Sequence, residues 1–192
     1  MENVHLKNQQ EWNKVDEMIA NKSIPFQLGS TFEHGALPVY MVIDIDPGGG
    51  FESGFELTSL SADIPTQFTG FTTHLNEVQH FQFSIHRQDM FDRIGKLFGM
   101  EDVETGYPDF DECFIIKTNH PEKLKSIFND SAIREGLLQE KNGALQLYPG
   151  NEDGNTYTLE WMLSHAIFDV PRLKKMYHCF TQIMDAITGK TQ

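Results

Sequence analysis

Apolar residues recur along this chain in two periods, and the switches between them outline its elements. Trp12, Val15, Met18 and Ile19 fall at helical spacing around Glu11, Lys14 and Asp16, which predicts a helix over 8–22. Ile24-Pro25-Phe26 breaks it. The apolar run 37–45 predicts a strand, Asp46-Pro47-Gly48-Gly49-Gly50 a turn, and 54–60 a hairpin partner. Phe and Thr mix over 66–74, a third strand. Over 79–87 the alternation is clean. Phe81, Phe83 and Ile85 share one face, and His80, Gln82, Ser84 and His86 share the other, the pattern of a half-buried antiparallel strand with a wet polar side. Helical spacing returns over 88–98 with Met90, Phe91, Ile94, Leu97 and Phe98, and Gly99 is a stop.

Residues 101–113 carry Glu101, Asp102, Glu104, Asp109, Asp111 and Glu112 without a Lys or Arg, and read as an acidic connector. A strand is predicted at 110–118, then a helix with Asn119 as its cap and Glu122 reaching back as in a capping box. Asn129-Asp130-Ser131 stops and restarts that helix, with Ile133, Leu137 and Leu138 extending its apolar face. Asn142-Gly143 turns the chain into a strand at 144–148. After a loop at 149–155, alternation over 156–167 predicts another strand. Asp169 caps a final helix with Pro171 in its first turn and Gly189 at its end. Its wide stripe is Val170, Leu173, Met176, Tyr177, Phe180, Ile183, Met184 and Ile187. The expected fold is α+β: a mostly antiparallel sheet of seven or eight strands, with about four helices packed mainly on one face. It forms a single domain over 1–192, in which two structural halves, 1–99 and 110–192, meet at the connector 100–109.

The segment from Gly106 through Phe110-Asp111, Cys113-Phe114-Ile115-Ile116 and Asn119-His120-Pro121 resembles a stretch found in many uncharacterised bacterial proteins. There a glycine turn precedes Phe-Asp, an apolar strand and a short polar turn into a helix. The resemblance extends to about Leu138 and implies a local fold in a bacterial protein, with no activity attached.

Composition narrows the picture further. A chain of 192 residues with 39% hydrophobic and 22% charged residues has the makings of a substantial core. Phe is over-used, with 15 against 2 Trp and 5 Tyr, and a ring without a polar handle belongs in an interior or in a lined cavity. The net charge is −13, spread evenly: 13 acidic against 6 basic residues over 1–100, and 15 against 9 over 101–192. Such a surface repels nucleic-acid backbones and anionic membranes and attracts a basic protein. The absence of an apolar leader or of a long apolar run predicts a cytoplasmic protein. Cys113 and Cys179 are too isolated for a disulfide framework and read as small hydrophobes, and His178 beside Cys179 points about 100° away on a helix.

Candidate chemistry is sparse. Asp44 and Asp46 share one strand face beside the glycines and could hold a divalent cation, although a solvated strand end is the simpler reading. His80 and His86 are six residues apart, about 20 Å along a strand, too far for one metal. Ser84 and His86 invite a nucleophile–base pairing, but no Gly-x-Ser-x-Gly elbow surrounds Ser84. His165 lies among Trp161, Leu163 and Ile167, where burial would lower its pKa. No catalytic, metal-binding or cofactor-binding residue is assigned. The leading expectation is a non-catalytic protein binding a basic protein through Glu101, Asp102, Glu104, Asp109, Asp111 and Glu112, immunity- or inhibitor-like at the level of charge. The alternative is a small-molecule binder or hydrolase with a Phe-lined pocket.

Overall fold

A computed structural model describes residues 2–46, 67–76, 78, 80–87, 100–150 and 155–189. The turn after Asp46, the strand expected at 54–60 and the helix expected at 88–98 lie outside these residues. The described strands are β1 (Phe26–His34), β2 (Leu37–Ile45), β3 (Gln67–Asn76), β4 (Phe83–His86), β5 (Glu101–Asp102), β6 (Ile115–Thr118), β7 (Gly143–Pro149) and β8 (Thr156–Leu163). They form one antiparallel sheet in the order β1-β2-β3-β8-β7-β4-β6-β5. The described helices are α1 (Glu2–Ala20), α2 (Pro108–Asp111), α3 (Pro121–Phe128), α4 (Ser131–Gln139) and α5 (Val170–Thr188). The architecture is α+β. The sheet interleaves strands from both sides of residue 100, because β8 pairs with β3 while β4 lies between β7 and β6.

One face of the sheet carries the helices. Alternate residues of the strands (Leu28, Phe32, Met41, Phe71, Phe83, Ile85, Leu145, Trp161) join the apolar stripes of α1, α3, α4 and α5 in one core. Ten of the eleven described phenylalanines are buried there or within the sheet. Each such ring gains roughly 1.5–3 kcal/mol by leaving water. Trp12 of α1 lies 4.3 Å from Phe32 of β1, and Phe71 of β3 lies 6.0 Å from Phe180 of α5, so both long helices are keyed to the sheet by aromatic pairs. Where α4 crosses α5, a Cβ on Gly136 would stand 2.5 Å from Cys179 Sγ. Only a hydrogen there permits the approach.

Local signals explain most boundaries. Asp169 Oδ1 accepts from Arg172 N at 2.7 Å, Pro171 occupies the first turn, and Gly189 closes α5 in the left-handed conformation at φ 69°. Asp130 Oδ1 accepts from Ala132 N at 2.8 Å and restarts the chain as α4. Gly35 supplies φ 61° in the two-residue turn that joins β1 to β2.

Several expectations need correction. The strand predicted at 110–118 begins only at Ile115. Pro108 starts a single helical turn that tucks Phe110 into the core, so the acidic residues before it do not extend the strand. Asn119 does not cap α3. Its side chain bridges Gln82 N and His80 O, and the His120 ring accepts from Lys123 N instead. The strand expected over 79–87 shortens to β4, and the one over 156–167 ends at Leu163. Strand β1 was not foreseen, although Phe26, Leu28, Ser30 and Phe32 are buried in strict alternation with exposed Gln27, Gly29 and Thr31.

Candidate protein-docking edge and the second face of the sheet

The acidic residues cluster at one margin of the sheet because β5 is its last strand and the link to β6 turns there. Glu101 pairs with Thr118 and Asp102 with Lys117, and Val103 N donates to Ile116 O at 2.9 Å. Asp102 Oδ1 sits 3.4 Å from Lys117 Nζ, but with 77% of the Asp102 side chain exposed the pair is a weak surface contact. Asp111 works inward. Its Oδ1 accepts from Thr105 N at 2.9 Å and Thr105 Oγ1 at 2.6 Å, and its Oδ2 accepts from Gly106 N at 2.9 Å. This carboxylate ties the link into a fixed loop, with Gly106 at φ 90°. Glu101, Glu104, Asp109 and Glu112 remain exposed on that frame.

Beside them Tyr107 is held flat. Its ring lies 3.5 Å beneath the Arg134 guanidinium, and its hydroxyl donates to Asn129 Oδ1 at 3.2 Å. Arg134 Nη1 also donates to Phe128 O, so this cation is spent on the fold. A shallow recess of about 260 Å³ opens between Tyr107-Pro108-Asp109 and the Arg134–Leu138 side of α4. The Arg134–Tyr107 stack was not foreseen, and 26 intervening residues leave no local spacing to reveal it.

The sheet face away from the helices carries the other polar residues. In register, one residue per strand, run Thr31, Tyr40, Thr72, Glu160, Gln146, Ser84, Lys117 and Asp102. Each has a hydrogen-bonding side chain, so a polar row crosses all eight strands. Its central members are buried: Thr72 is 6% exposed, Glu160 1%, Gln146 3% and Ser84 0%. Tyr148 Oη donates to Glu160 Oε2 at 3.2 Å. Among the described residues the buried Thr72 and Ser84 hydroxyls have no hydrogen-bond partner.

This overturns the wet polar side expected for 79–87. Ser84 and His86 are both buried, His86 at 1%. His80 lies before β4, exposed, at φ 58°, with Nδ1 3.1 Å from Tyr157 Oη. Alternation had shown only that the two faces differ in polarity. His86 Nδ1 donates to Arg87 O at 2.9 Å, and burial pushes its pKa below the usual imidazole value, with a smaller push from Lys117. The Ser84 hydroxyl is closed off from solvent.

The remaining candidates are structural. Asp44 is buried, burial raises its pKa, and Gln27 Nε2 donates to its Oδ2 at 3.0 Å. Among the described residues no group of three His, Cys, Asp or Glu side chains is placed to hold a metal ion. Burial pushes the Cys179 thiol up to about 12, so it stays protonated in the core, while Cys113 is half-buried. His165 lies on the link from β8 to α5 and approaches Arg172, which grips Glu140 with both arms of its guanidinium, an arrangement likewise not foreseen. Among the described residues no helix is long and apolar enough to cross a membrane. No protein-family model, curated protein or solved structure matches the chain.

Proposed function

We propose that this is a non-catalytic protein that binds a basic protein partner through the β5–β6 margin. The observation that carries the reading is the loop pinned by Asp111. It holds Glu101, Glu104, Asp109 and Glu112 outward on a frame fixed before any partner arrives, which lowers the ordering cost of association. The inward placement of ten of the eleven described phenylalanines supports this reading over a Phe-lined ligand pocket. Like charges at such a margin speed encounter with an opposite surface and select against acidic competitors.

The test uses the full chain immobilised and exposed to lysate of its source cell at low and high salt. A second column carries the chain with E101K, E104K, D109K and E112K. The expected result is a basic protein retained at low salt, released at high salt, and lost from the charge-reversed column although that variant unfolds at an unchanged urea concentration. Retention indifferent to both salt and charge reversal overturns the proposal.

A further inference from the structure

We propose that His165, Arg172 and Glu140 form a pH-sensitive clasp that fastens the first turn of α5 to the end of α4 and opens when His165 takes up a second proton. Arg172 Nε lies 2.6 Å from Glu140 Oε1, and Arg172 Nη2 lies 2.6 Å from Glu140 Oε2, a two-armed grip. Glu140 is 6% exposed, so Arg172 rather than water meets its carboxylate. Arg172 Nη2 also lies 3.3 Å from His165 Nε2. A guanidinium only donates, so Nε2 must present its lone pair and the ring proton must sit on Nδ1.

The backbone that carries the ring is fixed. Thr69 Oγ1 of β3 donates to His165 O at 3.0 Å and accepts from Ile167 N at 2.9 Å, which pins the link on both sides of Ala166. Among the described residues the charged groups facing the imidazole are Glu140 from the end of α4 and Arg172 from α5, while β3 contributes the neutral Thr69. Asp169 and Lys175 border the adjoining recess of about 480 Å³ together with Glu140 and Arg172.

A second proton replaces the acceptor by an N–H aimed at another N–H. The hydrogen bond is lost and two cations stand in contact, so Glu140 can no longer satisfy both. Burial and the Arg172 charge each hold the imidazole below its ordinary pKa of 6.5, and Glu140 opposes them more weakly. The sign follows: the unfolded chain binds this proton more readily than the folded one. The neutral ring's contribution is complete above pH 6.5 and is lost as the pH falls through the lowered folded value.

The experiment is an NMR titration of the full, nitrogen-labelled chain from pH 8 to pH 5, following the His165 ring and the Arg172 Nε–H signal. The expected result is that both move with one midpoint below 6.5, and that in His165→Gln the Arg172 signal stands still. The urea midpoint of His165→Gln should also fall less on acidification than that of the parent, a difference from which the shared His86 drops out. The proposal is overturned if His165 titrates at or above 6.5, or if Arg172 moves without it. Were the variant not to fold, the parent titration alone decides between these outcomes.

Discussion

The carboxylates of the 101–112 margin and those of Glu140 and Glu160 are chemically alike and structurally opposite. The first are neighbours in sequence and exposed for the most part, and among them Asp111 is the one that bonds inward to the backbone of its own loop. The second stand alone in sequence, are 6% and 1% exposed, and bond to partners 32 and 12 residues away, Arg172 and Tyr148. Density of charge along a chain therefore marks a surface. Dependence on charge is found where a lone acid is driven inside and must be met by a donor from another element.

The contrast is sharpest at Arg172. Arg172→Leu should cost about 2 kcal/mol in urea unfolding, because Glu140 would be left buried and unmatched; the figure is set below that of a fully buried pair since 43% of the arginine side chain is exposed. A loss within experimental error would place this pair with the surface contacts. Within the margin itself, Asp111→Ala should cost about 1.5 kcal/mol through its lost hydrogen bonds, while Asp109→Ala should stay within about 0.5 kcal/mol. Equal effects of the two substitutions would erase the distinction between anchor and surface. Smallest and opposite in sign, Ser84→Ala should stabilise the protein by about 1 kcal/mol, since it removes a buried hydroxyl that lacks a partner. Destabilisation there would mean that the hydroxyl is bound in solution.

Much of the fold is legible in the sequence for identifiable reasons. The strand at 37–45 matches the observed bounds because its apolar run is flanked by turn residues, and α5 is announced by Asp169, Pro171 and Gly189 together. Strand β1 escaped because Gly29 and Ser30 interrupt its apolar residues with poor strand formers, leaving only pairing to β2 to define it. The capping of α3 by His120 in place of Asn119 also depends on distance, because Asn119 is claimed by Gln82 and His80, about 40 residues earlier. The candidate margin was visible as a run of acids. Which of them faces inward was not, because that turns on backbone N–H groups at Thr105 and Gly106 that point at Asp111 only once α2 has turned.

The position of β4 sets an order of assembly. During synthesis this strand leaves the ribosome before either of its neighbours, since Phe83 pairs with Thr118 on one side and Leu147 on the other. It must wait for both partners, and among the described strands the β4-β6-β5 end pairs with the β1-β2-β3 end through β7 and β8. Closure of so long a loop is slow, and a waiting strand with Phe83 and Ile85 uncovered is a place where a nascent chain can stick to its neighbours.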